Sequence, residues 1–400
     1  MKRNRYKVKL RTNSPLLLPN QPSGGESTMF QSLNYILGSA VRGAAIQRWG
    51  EMNGFIDEET FTKEIYEKFH ENGIHFSNFY PNGATILPLT AETCKQFPGF
   101  RDTTEDAHGV KDMLLRHYEV SKTGDFSALS CCHDDEETGE ICNSLLKSYE
   151  GLYKSESREL VQVGKIQSGH VSIDPITQTN QKGQLFFEDA IEIGEEFIGF
   201  ITVPEQLESV FAQIFTQQNH LRLGAKRTSG YGEMTIEDVD VTTDKVADGY
   251  FSELNEPLHE RYERLNEAAK ELGVIQEGQS IFAITLLSDA IFVDKYFRYT
   301  SELTGELLTD LTGIQFEGLE LVHSQAAIKR ISGWNQKWKV AIDDEVAVRM
   351  GSTYLYTINE ELLDLEKLAQ LENCCIGERT WEGYGELIVS HPFHKQWKEV

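Results

Sequence analysis

Long apolar runs are missing from this chain. No stretch approaches ~20 uncharged apolar residues, so no membrane-spanning helix is expected. Cysteine is sparse, with six in 400 residues. That is too few for a disulfide scaffold, and Cys94, Cys131, Cys132, Cys142, Cys374 and Cys375 read as reduced thiols or metal ligands. An apolar signal core is lacking after Met1, where an alternating pattern begins instead. A soluble, cytoplasmic protein is the expectation. Basic charge is short too: 38 Lys and Arg against 63 Asp and Glu leave a net −25. An anionic surface repels phosphate backbones, so a coat of basic patches is excluded. What remains, 40% hydrophobic and 25% charged, is globular and has apolar mass for two cores.

The charge is uneven. Residues 1–50 hold eight basic residues against Glu26 alone, so this segment carries +7 and the other 350 residues carry −32. Any polyanion site must therefore be local, and the N-terminal segment is one candidate. There Tyr6, Val8 and Leu10 alternate with Lys7, Lys9 and Arg11, the period-two signature of a half-buried strand. A Pro/Gly/Ser-rich loop (14–27) follows. A helix then begins at Gly38-Ser39, with Ser39 as its N-cap and Val41, Ala45 and Trp49 on one face. After a helix-like stretch at 61–69, residues up to about 150 are irregular and polar, and 57–150 reads as an insertion, its acidic run Asp134–Glu137 a solvated loop. Short strands return between Gln162 and Val203, followed by an amphipathic helix at 206–215.

Next comes a glycine-rich loop, Gly224-Ala-Lys226-Arg227-Thr-Ser-Gly230-Tyr231-Gly232-Glu, running into a strand. After a charged helical linker (246–274), a second unit opens with a strand at 281–287 and closes like the first. A helix at 362–371 leads into Gly377-Glu-Arg379-Thr-Trp381-Glu-Gly383-Tyr384-Gly385-Glu and a strand. Gly-Tyr-Gly-Glu thus occurs twice, each time between helix and strand, which marks a diverged internal duplication. The expected fold is α+β, with two tandem ferredoxin-like domains (1–245 and 275–400) and the loop-rich insertion in the first.

Neither loop ends in Gly-Lys-Ser/Thr, and helix-loop-strand reverses the order of a nucleotide-phosphate loop. Two readings stay open: a helix C-cap with a tight turn, or contact with single-stranded nucleic acid. In the second, Lys226, Arg227 and Arg379 supply phosphate donors and Tyr231, Trp381 and Tyr384 supply stacking faces.

With these loops, the start Gly38-Ser39-x-x-Arg42-Gly43, the segment His170–Asp174 through Gly183-Gln-Leu-Phe-Phe to Gly194-Glu-Glu-Phe-Ile-Gly, and Gly333-Trp334-Asn335 through Ala347–Tyr354, the sequence resembles the CRISPR-associated RAMP superfamily. It is most similar to two-domain type III-D subunits of the group that binds the 5′ handle of the crRNA. The resemblance implies RNA-recognition-type domains and a non-catalytic role, with crRNA and neighbouring type III subunits as partners and target RNA met indirectly. It implies an RNA-binding role for both glycine loops and for Gly38, Ser39 and Arg42. Arg42 is either a phosphate clamp or the partner of a carboxylate at the helix start. Glu378 and Glu382 put negative charge into the second loop, which raises a protein-facing role for it.

RAMP-fold ribonucleases use histidine as general acid or base, so His117, His133, His170 and His323 are candidates, but no sequence neighbourhood pairs any of them. Asp174, before Pro175, reads as a turn former. No cofactor is required. A structural zinc ion in the insertion has Cys94, one or more of Cys131, Cys132 and His133, and Cys142 as candidate ligands, with His108 nearby, although no Cys-x-x-Cys pair is present. Cys374 and Cys375 read as core thiols. The alternatives to an RNA-binding subunit are a crRNA-processing endoribonuclease and a purely structural assembly subunit.

Overall fold

The computed structural model describes residues 2–18, 29–54, 58–101, 106–133, 141–154, 156–173, 180–217, 219–242, 256–335 and 340–395. The acidic run at 134–137, Asp174, residues 246–255 and the side chain of His170 fall outside this description.

The chain is a mixed α/β protein built on two antiparallel sheets. Strand β1 (Arg3–Thr12) is followed by helices α1 (Gly38–Asn53) and α2 (Glu58–Phe69) and strand β2 (His75–Phe76). The insertion contributes helix α3 (Leu114–Thr123). A hairpin of β3 (Lys165–Ile173) and β4 (Asn180–Ile191) comes next. Then follow β5 (Glu196–Pro204), α4 (Glu208–Phe215), β6 (His220–Arg222) and β7 (Glu233–Thr242). The first sheet runs β6-β7-β1-β5-β2. Its alternation is as the sequence predicts. Val8 and Leu10 enter a core with Trp49, Phe69, Phe211 and Phe215, while Lys9 and Arg11 lie on the other face among Glu196 and Glu237. The basic strand is thus answered by neighbouring carboxylates.

Helix α5 (Leu258–Glu271) precedes the second sheet. That sheet consists of β8 (Gln279–Leu286), β9 (Glu320–Gln325), β12 (Thr353–Asn359) and β13 (Leu387–Val389). Helix α6 (Gly305–Thr312), a hairpin of β10 (Ile328–Asn335) and β11 (Val340–Val348), and α7 (Leu365–Asn373) lie between its strands. Its order, β13-β8-β12-β9, repeats β7-β1-β5-β2 strand for strand. Strand β8 is apolar at Ile281–Ile284 and Leu286 because both faces are covered. Phe282, Ile284 and Leu286 meet α6 and α7, while Ile281 and Ala283 meet α5 and α3.

Three expectations are corrected. The helix-like stretch at 61–69 lies within α2, but the residues from there to 150 are not uniformly irregular: they contain α3 and a three-stranded sheet of Val110–Asp112, Ala91–Cys94 and Leu146–Ser148. Nor is this segment only an appendage of the first unit. Leu114, Leu115 and Tyr118 pack into the second unit's core, and buried Asp112 meets His394 at 3.1 Å. Finally, α5 is no free linker. Arg261, 2% exposed, pairs with both carboxylate oxygens of Glu372 at 3.0 Å, and Asn266 bonds the backbone of Ile281. A helix with charges spread around it reads as solvated from sequence; only the partner across space reveals a buried ion pair.

Candidate nucleic-acid interface

The two glycine loops share one backbone. In the first, Lys226 takes left-handed φ/ψ of 55°/29°, a 3-10 turn covers Arg227–Ser229, and Gly230 returns to the left-handed region. In the second, Arg379 takes 56°/32°, the turn covers Thr380–Glu382, and Gly383 closes it. Anchoring bonds repeat as well. The amide of Leu223 donates to Gly232 O at 2.8 Å and that of Ala225 to Leu17 O at 2.9 Å. Their counterparts run from Ile376 to Gly385 O and from Glu378 to Ile291 O, both 2.9 Å. The closing glycines are obligatory. A Cβ on Gly232 would lie 1.9 Å from Leu223 O, one on Gly385 1.9 Å from Ile376 O, and φ is +80° and +77°.

This superposition pairs Lys226, rather than Arg227, with Arg379. Each cation reaches the second strand of its own hairpin: Lys226 Nζ lies 2.6 Å from Glu188 Oε2, and Arg379 pairs with Glu345. Glu188 stands three residues before Ile191, which bridges to Leu16, and Glu345 three before Val348, which bridges to Ala290. The ion pair is therefore part of the duplicated unit. Sequence reading missed both glutamates; aligning the halves at their hairpins was the available signal.

Surroundings separate the loops. Arg227, Thr228, Ser229 and Gly230 are exposed and Tyr231 is half-buried. Arg227 donates to Gln47 of α1. A groove of about 260 Å³ between α1 and β6, lined by Gln47, Arg48, Glu51, His220 and Arg222, adjoins it. The second loop is instead pressed into the first unit, with Gly383, Tyr384 and Gly385 buried. Glu382 O lies 2.7 Å from where a Cβ of Gly38 would be, so only glycine permits this approach. Trp381 packs on His70 with centroids 4.2 Å apart and the rings tilted by 34°. The Arg379 guanidinium also binds Glu382, with Nε at 3.0 Å, and lies over the Tyr384 ring. Burial pushes the Tyr384 hydroxyl up to about 12.

Of the two readings of Arg42, the structure has it on a carboxylate, supplied by the other unit: Nη1 donates to Glu382 Oε1 at 3.0 Å and Nε donates to Phe69 O at 2.7 Å. Ser39 is not the N-cap. Leu37 occupies that position without a side-chain cap, and Asn78 Oδ1 accepts from the Gly38 amide at 2.9 Å. A cap from a distant loop leaves no local sequence signal.

Among the histidines, His117 and His323 come together with parallel rings 6.2 Å apart, and His117 Nε2 meets Glu92 at 2.8 Å. Burial holds His323 down to about 4. In the insertion, Cys94, His108, Cys131 and Cys142 converge, with all four donor atoms within 4.8 Å of one another. Cys132 and His133, expected as ligands, are not in this group. Cys132 accepts from Lys111 at 2.9 Å, and His133 Nδ1 meets Arg101 at 2.5 Å. Cys374 and Cys375 are half-buried rather than core.

Fold and loops together define a duplicated α/β protein that uses one glycine-loop backbone twice. The family model described as "RAMP superfamily" matches residues 10–235, more than half of the chain and including the first loop. The chain belongs to that superfamily. No curated protein matches it. It is similar to chains in solved type III-B Cmr-beta structures. One, bound to cognate target RNA, has 12% identity over 95% of this chain and 96% of that chain, with a TM-score of 0.40. Another, bound to cognate target RNA and AMPPnP, has 14% over 87% and 86%, with 0.38. A third, the apo state, has 12% over 60% and 98%, with 0.33. No helix among the described residues is long and apolar enough to cross a membrane.

Proposed function

We propose that this chain is a non-catalytic, guide-RNA-binding subunit of a type III CRISPR effector complex. In this reading the first glycine loop grips RNA and the second locks the two units together. The observation that carries it is one backbone in two settings: Arg227–Gly230 face solvent beside Arg222, whereas Gly383–Gly385 are buried against Gly38 and Asn78. An exposed turn carrying Arg227, flanked by Arg222 and the half-buried Tyr231, meets the needs of a single strand, phosphate donors and a stacking face. The repeated strand order supports reading each sheet as a ferredoxin-like domain, with α5 belonging to the second. The type III-D assignment and the 5′ handle as the bound segment rest on the resemblance of residues 333–354 to handle-binding subunits. The strong acidity fits docking to basic neighbouring subunits and suppression of nonspecific RNA binding elsewhere.

Crosslinking of the purified ribonucleoprotein tests this reading. Guide crosslinks are expected within 224–232, and Arg227→Ala is expected to lower affinity and reduce the log–log salt slope by ~0.7, the loss of one phosphate contact on a single strand. Crosslinks confined to 377–385, or an unchanged slope, would overturn it. Cleavage of precursor RNA by the chain alone, abolished by His117→Ala, would establish the nuclease alternative.

A further inference from the structure

The insertion carries a second constellation, independent of the RNA reading. Three cysteines and one histidine, drawn from four separate places in the chain, meet at one point: Cys94 ends the strand Ala91–Cys94, His108 precedes the strand Val110–Asp112, and Cys131 and Cys142 come from the segment between α3 and Leu146–Ser148. We propose that Cys94, His108, Cys131 and Cys142 hold a single tetrahedral zinc ion that pins this segment to the insertion's sheet.

The separations fit a metal polyhedron. Zinc–sulfur bonds of about 2.3 Å and zinc–nitrogen bonds of about 2.0–2.1 Å give tetrahedral edges of roughly 3.8 Å between sulfurs and roughly 3.6 Å between sulfur and nitrogen. Cys94 Sγ lies 3.9 Å from Cys142 Sγ, and His108 Nδ1 lies 3.4 Å from Cys131 Sγ. A disulfide needs sulfurs about 2.05 Å apart, so the cluster is shaped for an ion rather than a bond.

Outer contacts orient the ligands. The His108 ring is clasped between Phe97, stacked at 4.4 Å, and His133, at 4.1 Å. The His133 amide donates to the Cys131 sulfur, and the Ser144 amide donates to that of Cys142. Donors aimed at thiolate sulfur and a fixed imidazole are what a structural site requires. His133 thus serves beside the ion rather than on it.

The segment also needs the ion. Three of its apolar side chains point outward, with Phe126 72%, Ile141 58% and Leu145 69% exposed, while Cys131 is 1% exposed. A segment that buries Cys131 while Phe126, Ile141 and Leu145 stay exposed gains little from apolar burial, and metal ligation supplies folding energy instead. Three thiols lose their protons on binding, which leaves a site of net charge −1.

Metal analysis of the full-length protein decides the matter. One zinc per chain is expected by mass spectrometry. Cobalt(II) exchanged into the site should give the sulfur-to-metal charge transfer and intense visible bands of a tetrahedral thiolate centre. Chelation should raise the number of reactive thiols by three. Cys132→Ser should keep the metal; Cys142→Ser should lose it; and His108→Cys, which restores a fourth ligand, should keep it even if His108→Ala does not fold. Wild-type protein that holds no zinc and gives no tetrahedral cobalt spectrum, iron in place of zinc, or equal loss from Cys132→Ser and Cys142→Ser would overturn the assignment.

Discussion

Replacing Arg42 with methionine separates a lock between the units from a phosphate clamp. Arg42 and Glu382 side chains are 18% and 13% exposed and their charged atoms are 3.0 Å apart. Glu382 also binds Arg379, so it is one carboxylate shared by two guanidinium groups. Burial, offset in part by Glu382, lowers the Arg42 pKa, and Arg379 lowers it further. Arg42→Met keeps most of the volume and leaves Glu382 on Arg379, for a loss of about 1–2 kcal/mol. Glu382→Gln removes the shared charge and leaves two partly buried cations side by side, for about 3–5 kcal/mol. Denaturant unfolding of both single variants and the double variant should therefore show an asymmetric cycle, with coupling of about 0.5–3 kcal/mol. RNA affinity and its salt slope should be unchanged in Arg42→Met. Should that variant lose ~0.7 from the slope while keeping full stability, Arg42 is a clamp and the lock is wrong.

Two other outcomes follow from the geometry. Gly232→Ala and Gly385→Ala should each cost roughly 3 kcal/mol or more, because a carbonyl blocks the Cβ as well as φ being positive. Gly230→Ala, with nothing within 4 Å, should cost only the left-handed penalty of about 1–2 kcal/mol; a cost equal to that of Gly232→Ala in urea unfolding would contradict the carbonyl block. Stability should also fall with acidification. Burial holds His75 and His323 down to about 4 and His391 well below its ordinary value. The unfolded chain therefore takes up protons from about pH 6.5 that the folded chain refuses. The stabilisation is complete above pH 7.5 and is lost as pH drops from about 6.5 to 4, by about 2 kcal/mol for each of His75 and His323 after allowing for partial exposure. A flat urea midpoint between pH 7.5 and 5, or a His323→Gln profile as steep as wild type, would count against it.

Residue order alone carried the parts governed by local chemistry. Alternation at Tyr6–Arg11 defined a strand with one apolar face, paired Gly-Tyr-Gly-Glu motifs disclosed the duplication, and glycines at left-handed positions marked both turns, since no other residue tolerates those angles cheaply. Tertiary structure decided what each loop faces. Two nearly identical turns differ because one lies against solvent and the other against Gly38, Asn78 and Arg42, contacts that span some 340 residues. It likewise brought His108, and not Cys132 or His133, to the cluster of Cys94, Cys131 and Cys142, and gave Arg261 its buried partner Glu372. Charge pairing, capping and ligation act through distance in space, and chain order does not encode that distance until the sheets are packed.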